Sequence, residues 1–381
     1  MSPIRAEAVI DLDALETNAR ELDRRSGEAE LCCVVKADGY GHGAVEAAAA
    51  ALAGGARWLA VATANEAVEL RAALPGARIL AMGALSDSEL DLALGADAEV
   101  AVWRRGFLDR LVARAGALGV RPRLHVKADT GMGRLGNRDP REVVALCAAC
   151  SDEQGVELTG LWTHFATADE PGSAHFAAQL AAFTDLAAEL APRHPGLIRH
   201  AANSAATLIE PRSHFDMVRC GVALYGLDPF GSDPRDWGLE PALRWRSYVA
   251  DVKRFRAGEG AGYGQTWLAE HDTLVGVVPI GYADGVRRAL SNQGELLVGG
   301  RRVPIAGTIS MDNLTVDLGP ASDIEPGAEA VLIGSQGGDE LLAEEMARRL
   351  GTINYEITCG VSRRVQRSVE ADALGTGPDE P

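Results

Sequence analysis

The run Val34-Val35-Lys36-Ala37-Asp38-Gly39-Tyr40-Gly41-His42-Gly43 holds the densest chemistry of the chain. An apolar β-type segment at residues 31–35 stops at Lys36. A glycine-rich turn carrying Tyr40 and His42 comes next, then an alanine-rich helix from Ala44. A lysine at the end of a buried strand loses solvation, which lowers its pKa and suits its amine to attack an aldehyde and form a Schiff base. The alternative is a lysine that ends its strand in water, as most lysines do. Further polar residues stand at similar places: Arg134 after Lys127-Ala-Asp-Thr-Gly-Met-Gly133, His164 in Thr163-His-Phe-Ala166, Asn203 and Ser204, and Arg219 with Gly221 and Val222. Taken singly, each has an ordinary reading, such as a core histidine, an ion-pair arginine or a turn glycine.

The elements that would position these residues alternate. Short apolar runs recur at residues 31–35, 58–62, 77–81, 98–103, 123–127, 158–162, 198–202 and 217–219. Helical patterns such as 66–73, 107–117 and 176–190 separate most of them, at the spacing of βα units. Eight such strands predict a TIM barrel, with a helix at 12–24 before the first strand. In that fold every carboxyl strand end opens into one mouth. Lys36 follows strand one, Arg134 strand five, His164 strand six, Asn203 and Ser204 strand seven, and Arg219 lies in strand eight.

The rhythm changes after Asp228. Pro229-Phe-Gly-Ser-Asp-Pro234 reads as a linker. Beyond it come β-type runs at 245–255, 274–279, 295–298, 302–309 and 314–318, a helix at 340–349, and a last β-type run at 354–365. This predicts a second, mostly β domain, to which residues 6–10 would add a strand. The expected organisation is a barrel at 11–238, a β-rich domain at 239–371 with residues 1–10, and a disordered tail at 372–381.

Composition bounds the partners. The net charge of −17, from 54 acidic against 37 basic residues, argues against nucleic acid and anionic membrane, but not against a local cationic pocket for a small molecule. The six cysteines are scattered, which predicts reduced thiols in a cytoplasmic protein. Cys147-Ala-Ala-Cys150 lies on a helical pattern with no second Cys or His pair, so no metal site is expected. The start, Met1-Ser-Pro-Ile-Arg5, runs into Glu7 and Asp11, unlike a signal peptide. The apolar stretches are broken by Glu46, Gly54 and Gly55, unlike a membrane span.

Nine ordered motifs across nearly the whole chain resemble the alanine racemase family. Besides the segments around Lys36, Lys127–Arg134, His164 and Asn203-Ser204, they are Phe215-Asp-Met-Val-Arg219-Cys-Gly-Val-Ala-Leu-Tyr-Gly226, Gly262-Tyr263-Gly264, Ile280-Gly-Tyr282-Ala-Asp-Gly285, Ser310-Met311-Asp312 and Asn354-Tyr355-Glu356. The resemblance implies a TIM barrel plus a β domain, pyridoxal 5'-phosphate (PLP) as cofactor, and a head-to-tail homodimer with shared sites. It implies that Lys36 holds PLP and serves as one base, with Tyr263 of the other subunit as the second base on the opposite side of the substrate Cα. A phenol starts near pKa 10 and needs positive neighbours, for which Arg134 and His164 are expected. Arg219 would meet the pyridine nitrogen, as a donor that keeps the cofactor a weaker electron sink than an acid would. Tyr40, His164, Asn203, Ser204, Gly221, Val222 and Tyr355 would help hold the cofactor. Arg134 and the Met311 backbone would meet substrate, and Tyr282 and Tyr355 would narrow the entrance. Lys127 matches a lysine that some members carbamylate. Ser310 stands where many members have cysteine.

The activity this implies is interconversion of L- and D-alanine, supplying D-alanine for peptidoglycan. The competing readings are a racemase of serine or a basic amino acid on the same scaffold, a barrel-fold PLP decarboxylase, a PLP carrier without catalysis, and a PLP-free Schiff-base aldolase. Arg219 argues against the decarboxylase, and the β domain with Tyr263 against the carrier.

Overall fold

A computed structural model describes residues 4–370; the tail at 372–381 lies outside the described residues. The chain divides into two compact units. One is Leu15–Leu224 with Trp237–Leu239; the other joins the amino-terminal segment to Tyr225–Asp236 and the chain from Glu240.

In the first unit eight parallel strands close into a barrel: Glu30–Val34, Trp58–Val61, Arg78–Ala81, Glu99–Val102, Arg123–Lys127, Glu157–Trp162, Ile198–His200 and Met217–Cys220. The eighth pairs with the first, with Cys32 opposite Arg219. Each strand is short and mostly buried, as expected where helices cover the outer face and side chains fill the lumen. The intervening helices start on local signals. Thr63 and Ser86 accept from the backbones of Glu66 and Glu89, whose carboxylates reach back to form capping boxes. Asp139 caps Pro140–Asp152, and Ser173 caps Ala174–Leu190.

Alternation along the strands divides the lumen by chemistry. Cys32, Val34, Trp58, Ala60, Leu80 and Met217 make an apolar cluster from strands one, two, three and eight. Strands four, five, seven and eight supply Glu99, His125, Lys127, His200 and Arg219, all buried. Strand six supplies room: a Cβ on Gly160 would sit 2.1 Å from His125 Nδ1.

The second unit is built on sheets. The larger one orders the strands Arg301–Pro304, Glu295–Val298, Glu329–Gln336, Leu243–Tyr248, Glu7–Asp11 and Gln366–Glu370, with Asp339–Leu341 paired to Glu329–Gln336. Glu7–Asp11 runs antiparallel to Leu243–Tyr248 and parallel to Gln366–Glu370. A three-stranded sheet joins Asp251–Phe255, Thr273–Val278 and Leu314–Gly319.

Two expectations for this region are corrected. Residues 354–365, expected as a β-run, begin with a helix, Asn354–Cys359. The β-rich composition of Ile353, Tyr355, Ile357 and Thr358 is overridden by tertiary bonding. Asn354 Nδ2 donates to Glu344 Oε1 (2.7 Å) and to the Asp228 carbonyl (2.8 Å), pinning the start of the helix in the interior. The strand Glu329–Gln336, absent from the expected runs, is central to the larger sheet.

His125 is hydrogen-bonded through both ring nitrogens and cannot retreat from an added methyl group. Gly160→Ala is therefore expected to destabilise the barrel by about 2–3 kcal/mol, within the range of overpacked cores. Chemical denaturation measures this; an unchanged midpoint would show that His125 does not occupy that place.

Candidate active site

Lys36 follows strand one on an unusual turn. Ala37, Asp38, Gly39 and Tyr40 all have left-handed backbone angles, with φ of 55, 54, 59 and 52°. Such angles cost L-residues roughly 1–2 kcal/mol each, so surrounding bonds must hold the turn. Gly41 N–H donates to the Ala37 carbonyl (3.1 Å) and Gly43 N–H to that of Asp38 (2.9 Å). The carboxylate of Glu66 accepts from Ala37 N–H (2.6 Å) while also capping its own helix through Thr63 N–H (3.0 Å). The turn places Lys36 Nζ 6.0 Å from the centre of the Tyr40 ring. It also brings the Tyr40 hydroxyl against Gly221, where a Cβ would stand only 2.5 Å away.

Ser204 lies beside this contact. Its Oγ accepts from Gly221 N–H (3.0 Å) and Ala223 N–H (3.3 Å). Asn203, expected to hold cofactor, is the cap of the helix Ser204–Ile209, its Oδ1 accepting from Ala206 N–H. Tyr40, Ser204, Gly221 and Val222 are thus gathered where strands one, seven and eight end.

Arg219 is buried at the inner side of the mouth. Among the described residues its hydrogen bonds go to His200 Nδ1 (3.0 Å), the carbonyls of Thr163 (2.8 Å) and Ala201 (3.0 Å), and His164 Nδ1 (3.3 Å). Burial pushes it down to about 10, which leaves it a cation at neutral pH. Lys127 is buried two residues beyond His125 on the same strand, its ammonium 3.8 Å from the centre of the Trp162 ring. Burial, with Arg219 and Arg134 nearby, pushes it down to about 7.

His164 feels Arg219, Lys127, Arg134 and Lys36 at once. Burial first and those cations next hold it well below its ordinary value. This corrects the charge expected of it: His164 is a neutral imidazole, with Nδ1 accepting from Arg219 and Nε2–H left as a donor. The permanent positive charge at the mouth belongs to Arg134 and Arg219. Arg134 is exposed on the loop after strand five, where Asp129 accepts from Gly131 N–H and Gly133 N–H (both 3.0 Å).

The second unit carries the remaining expected residues. Tyr263 is 75% exposed and stands on a turn whose preceding Gly262 (φ 72°) bridges to Thr308. Tyr282 and Met311, 44% and 51% exposed, are brought together by backbone bonds. Tyr282 N–H donates to Ser310 and Ala283 N–H to Met311, both at 3.0 Å. Only glycine fits at 281, since a Cβ would lie 2.3 Å from the Ser310 carbonyl oxygen. Asp284, which accepts from Gly281 N–H and from both terminal guanidinium nitrogens of Arg5, locks this turn. Tyr355 is half-buried in the helix Asn354–Cys359.

Sequence reasoning does not single out Glu99, His125 and His200. A glutamate and two histidines inside otherwise apolar barrel runs are the only local signal. What each bonds depends on strands far apart in the chain.

A lysine amine, two hydroxyls with neighbouring backbone N–H groups, and a buried guanidinium are the donors that an aromatic aldehyde carrying a phosphate requires. The comparisons agree with that chemistry. The family model for the alanine racemase N-terminal domain matches residues 10–229, and that for the C-terminal domain residues 242–369. An alanine racemase of Symbiobacterium thermophilum is 43% identical, covering 96% of this chain and 97% of the relative. The solved alanine racemase of Streptomyces coelicolor A3(2) superposes with a TM-score of 0.91 at 43% identity, over 96% of this chain and 98% of that one. That of Streptomyces lavendulae gives 0.91 at 41% identity, over 97% and 98%. On the strength of a matching barrel, a matching sheet domain and near-complete coverage, this chain belongs to the alanine racemase family.

Proposed function

We propose that the protein is a PLP-dependent alanine racemase working by two bases, supplying D-alanine for peptidoglycan. The observation that carries this is the convergence on one barrel mouth of Lys36, the Tyr40–Ser204–Gly221 cradle and the buried cation Arg219. When bound, PLP supplies an electron sink that acidifies the Cα proton of an amino acid.

The chain's residues divide the remaining work. The Lys36 amine anchors the cofactor and takes or returns a proton on one side of Cα. The phenol of the partner subunit's Tyr263 does so on the other side, in a head-to-tail homodimer; its high exposure in a single chain leaves it available for that role. Tyr40, Ser204, Gly221, Val222 and Tyr355 receive the phosphate through hydroxyl and backbone donors, with Asn203 fixing the helix that carries Ser204. Arg219 donates to the ring nitrogen and cannot accept a proton from it, which restrains the sink. Arg134 supplies positive charge near the Tyr263 phenol and the substrate carboxylate, and His164 supplies a neutral donor. The Met311 backbone N–H meets the carboxylate, and Tyr282 and Tyr355 restrict the side chain to a small one. Among the described residues no helix is long and apolar enough to cross a membrane.

Lys127 is proposed to be carbamylated. Carbon dioxide adds to a neutral amine, and an amine with a pKa of about 7 has a large neutral fraction at physiological pH where an ordinary lysine has almost none. The product is an anion between Arg134 and Arg219, where the unmodified ammonium meets only repulsion from them.

Tyr263→Phe is expected to lower racemisation in both directions by about 10²–10⁴-fold, the usual worth of a general acid–base group. In D₂O the variant should still exchange the Cα hydrogen of one enantiomer, from the Lys36 side. Proton NMR reads both; full racemisation by the variant would end the two-base assignment.

The sign of the Lys127 effect on stability comes from its lowered pKa. Between about pH 7 and 10.5 the unfolded chain holds a proton that the folded chain does not, so stability rises with pH across that window, and the penalty is complete below it. Carbamylation removes this dependence. In carbon dioxide-free buffer the melting temperature of the wild type should climb with pH through that window relative to Lys127→Met, and bicarbonate should flatten the difference. In labelled bicarbonate, a carbamate ¹³C resonance should appear in the wild type alone; its absence would show an unmodified lysine.

A further inference from the structure

A chain of hydrogen bonds runs down the barrel lumen from Arg219. Arg219 Nη1 meets His200 Nδ1 at 3.0 Å, His200 Nε2 meets His125 Nδ1 at 2.8 Å, and His125 Nε2 meets Glu99 Oε2 at 2.9 Å. Glu99 opens strand four, His125 lies mid-way along strand five, His200 ends strand seven, and Arg219 lies in strand eight. The path therefore climbs from the amino-terminal end of the lumen to the mouth. Glu99, His125 and His200 are fully buried.

Only one assignment of protons satisfies this chain with neutral imidazoles. An arginine can only donate, so His200 Nδ1 accepts. His200 then carries its proton on Nε2 and donates it to His125 Nδ1. His125 in turn carries its proton on Nε2 and donates it to Glu99. Burial lowers both imidazoles and keeps them neutral, the shift being large for His200. Every bond points from the guanidinium toward the carboxylate.

The lower end is fixed by charge. Glu99 Oε1 accepts from Arg78 Nη2 at 3.0 Å, and Arg123 Nε lies 3.5 Å away. Burial opposes ionisation of Glu99, but the bond from His125 and the guanidinium of Arg78 outweigh it, and the carboxyl lies below its ordinary value. The Arg78 Cζ itself lies over Trp58, 3.5 Å from the ring centre. Gly160 leaves the space that His125 occupies. These are the features of a built device rather than a chance contact.

We propose that Glu99 is a positioning residue for the reaction, acting through His125 and His200 to fix the orientation and donor strength of Arg219. This role rests on the proposed meeting of Arg219 with the pyridine nitrogen. The carboxylate makes His125 Nδ1 a stronger acceptor, which makes His200 Nδ1 one in turn. A stronger acceptor at Nη1 draws on the guanidinium and weakens its remaining N–H groups as donors. Arg219 thus offers the ring nitrogen a moderated hydrogen bond, and its plane is set from a point on the far side of the barrel.

The test compares wild type, Glu99→Gln, Glu99→Asp and Arg219→Lys holoenzymes. In ¹⁵N NMR each wild-type imidazole should show one protonated and one bare nitrogen between about pH 5 and 8, the range in which an ordinary histidine titrates. Glu99→Gln should disturb both rings and shift the absorption maximum of bound PLP. It should also lower kcat by about three- to tenfold with little change in KM, a neutral acceptor being roughly half as strong as a charged one. Glu99→Asp should restore part of each signal. If Glu99→Gln does not fold, His125→Gln cuts the chain one step higher, leaves Glu99 on Arg78, and should give the same spectral shift. Unchanged imidazole signals in Glu99→Gln, with absorption that still responds to Arg219→Lys, would overturn the relay alone. Disturbed imidazoles with absorption indifferent to both Glu99→Gln and Arg219→Lys would overturn the placement of Arg219, and with it the role of Glu99.

Discussion

The arrangement depends on positive charge packed into the mouth of a closed barrel. Lys36, Lys127, Arg134 and Arg219 all act on His164, and Arg219 is bonded to imidazoles and carbonyls rather than to a carboxylate. Cations in such a place repel one another and have lost water. The fold meets this cost in three ways: by lowering the pKa of Lys127, by holding His164 neutral, and by leading part of the Arg219 charge away through His200. What remains is a site poised for anions. A phosphate and a carboxylate would supply the missing counter-charge, and any ligand that binds only the folded state adds its binding free energy to stability.

Trp162 makes this crowding tolerable. It ends strand six and is almost fully buried. Lys127 Nζ lies 3.8 Å from its ring centre and Arg219 Cζ 4.9 Å from it. The His200 ring stacks on it at 5.7 Å with planes 3° apart. One aromatic surface therefore packs against the Lys127 side chain and the Arg219 guanidinium and orients an imidazole, the cation–π contact with Arg219 being worth about 0.5–2 kcal/mol. The lumen is apolar where strands one to three and Met217 of strand eight line it, and polar where Glu99, His125, Lys127, His200 and Arg219 do. Glu99, His125, His200 and Arg219 in the polar part bond to each other in series, as partly satisfied buried networks are unstable.

Legibility in the sequence tracks the range of the interaction. The barrel is readable because each strand and helix announces itself locally. Runs 31–35 and 58–62 are apolar and short, and Thr63, Ser86 and Ser173 cap helices that follow barrel strands. Lys36, Arg134, His164 and Arg219 can be picked out because strand ends in a barrel share one mouth. Glu99, His125 and His200 cannot, since each acquires its meaning from a partner on another strand. The charge of His164 escapes for the same reason: a histidine motif does not reveal how many cations surround it. Asn354–Cys359 reads as strand because its local β preference loses to bonds with Glu344 and the Asp228 carbonyl, the latter more than a hundred residues away in sequence.

The left-handed turn after Lys36 is a case in which local preference and global fold disagree outright. Alanine is a good former of right-handed helix, yet Ala37 adopts φ of 55°, and Asp38 and Tyr40 do likewise. Asp38 and Gly39 tolerate such angles, but nothing in Ala37 or Tyr40 asks for them. Glu66 and the backbone bonds to Gly41 and Gly43 impose them, and stability is lost at the residues flanking the amine. Strain of this kind survives where the surroundings over-determine the backbone. The outcome is that one short turn delivers the Lys36 amine and the Tyr40 hydroxyl to the same mouth. A right-handed continuation would rotate the residues after Lys36 the opposite way, and the contact of Tyr40 with Gly221 would be lost. That contact ties the start of the barrel to its last strand, so the conformation of four residues sets the relation between the amine and the anion cradle.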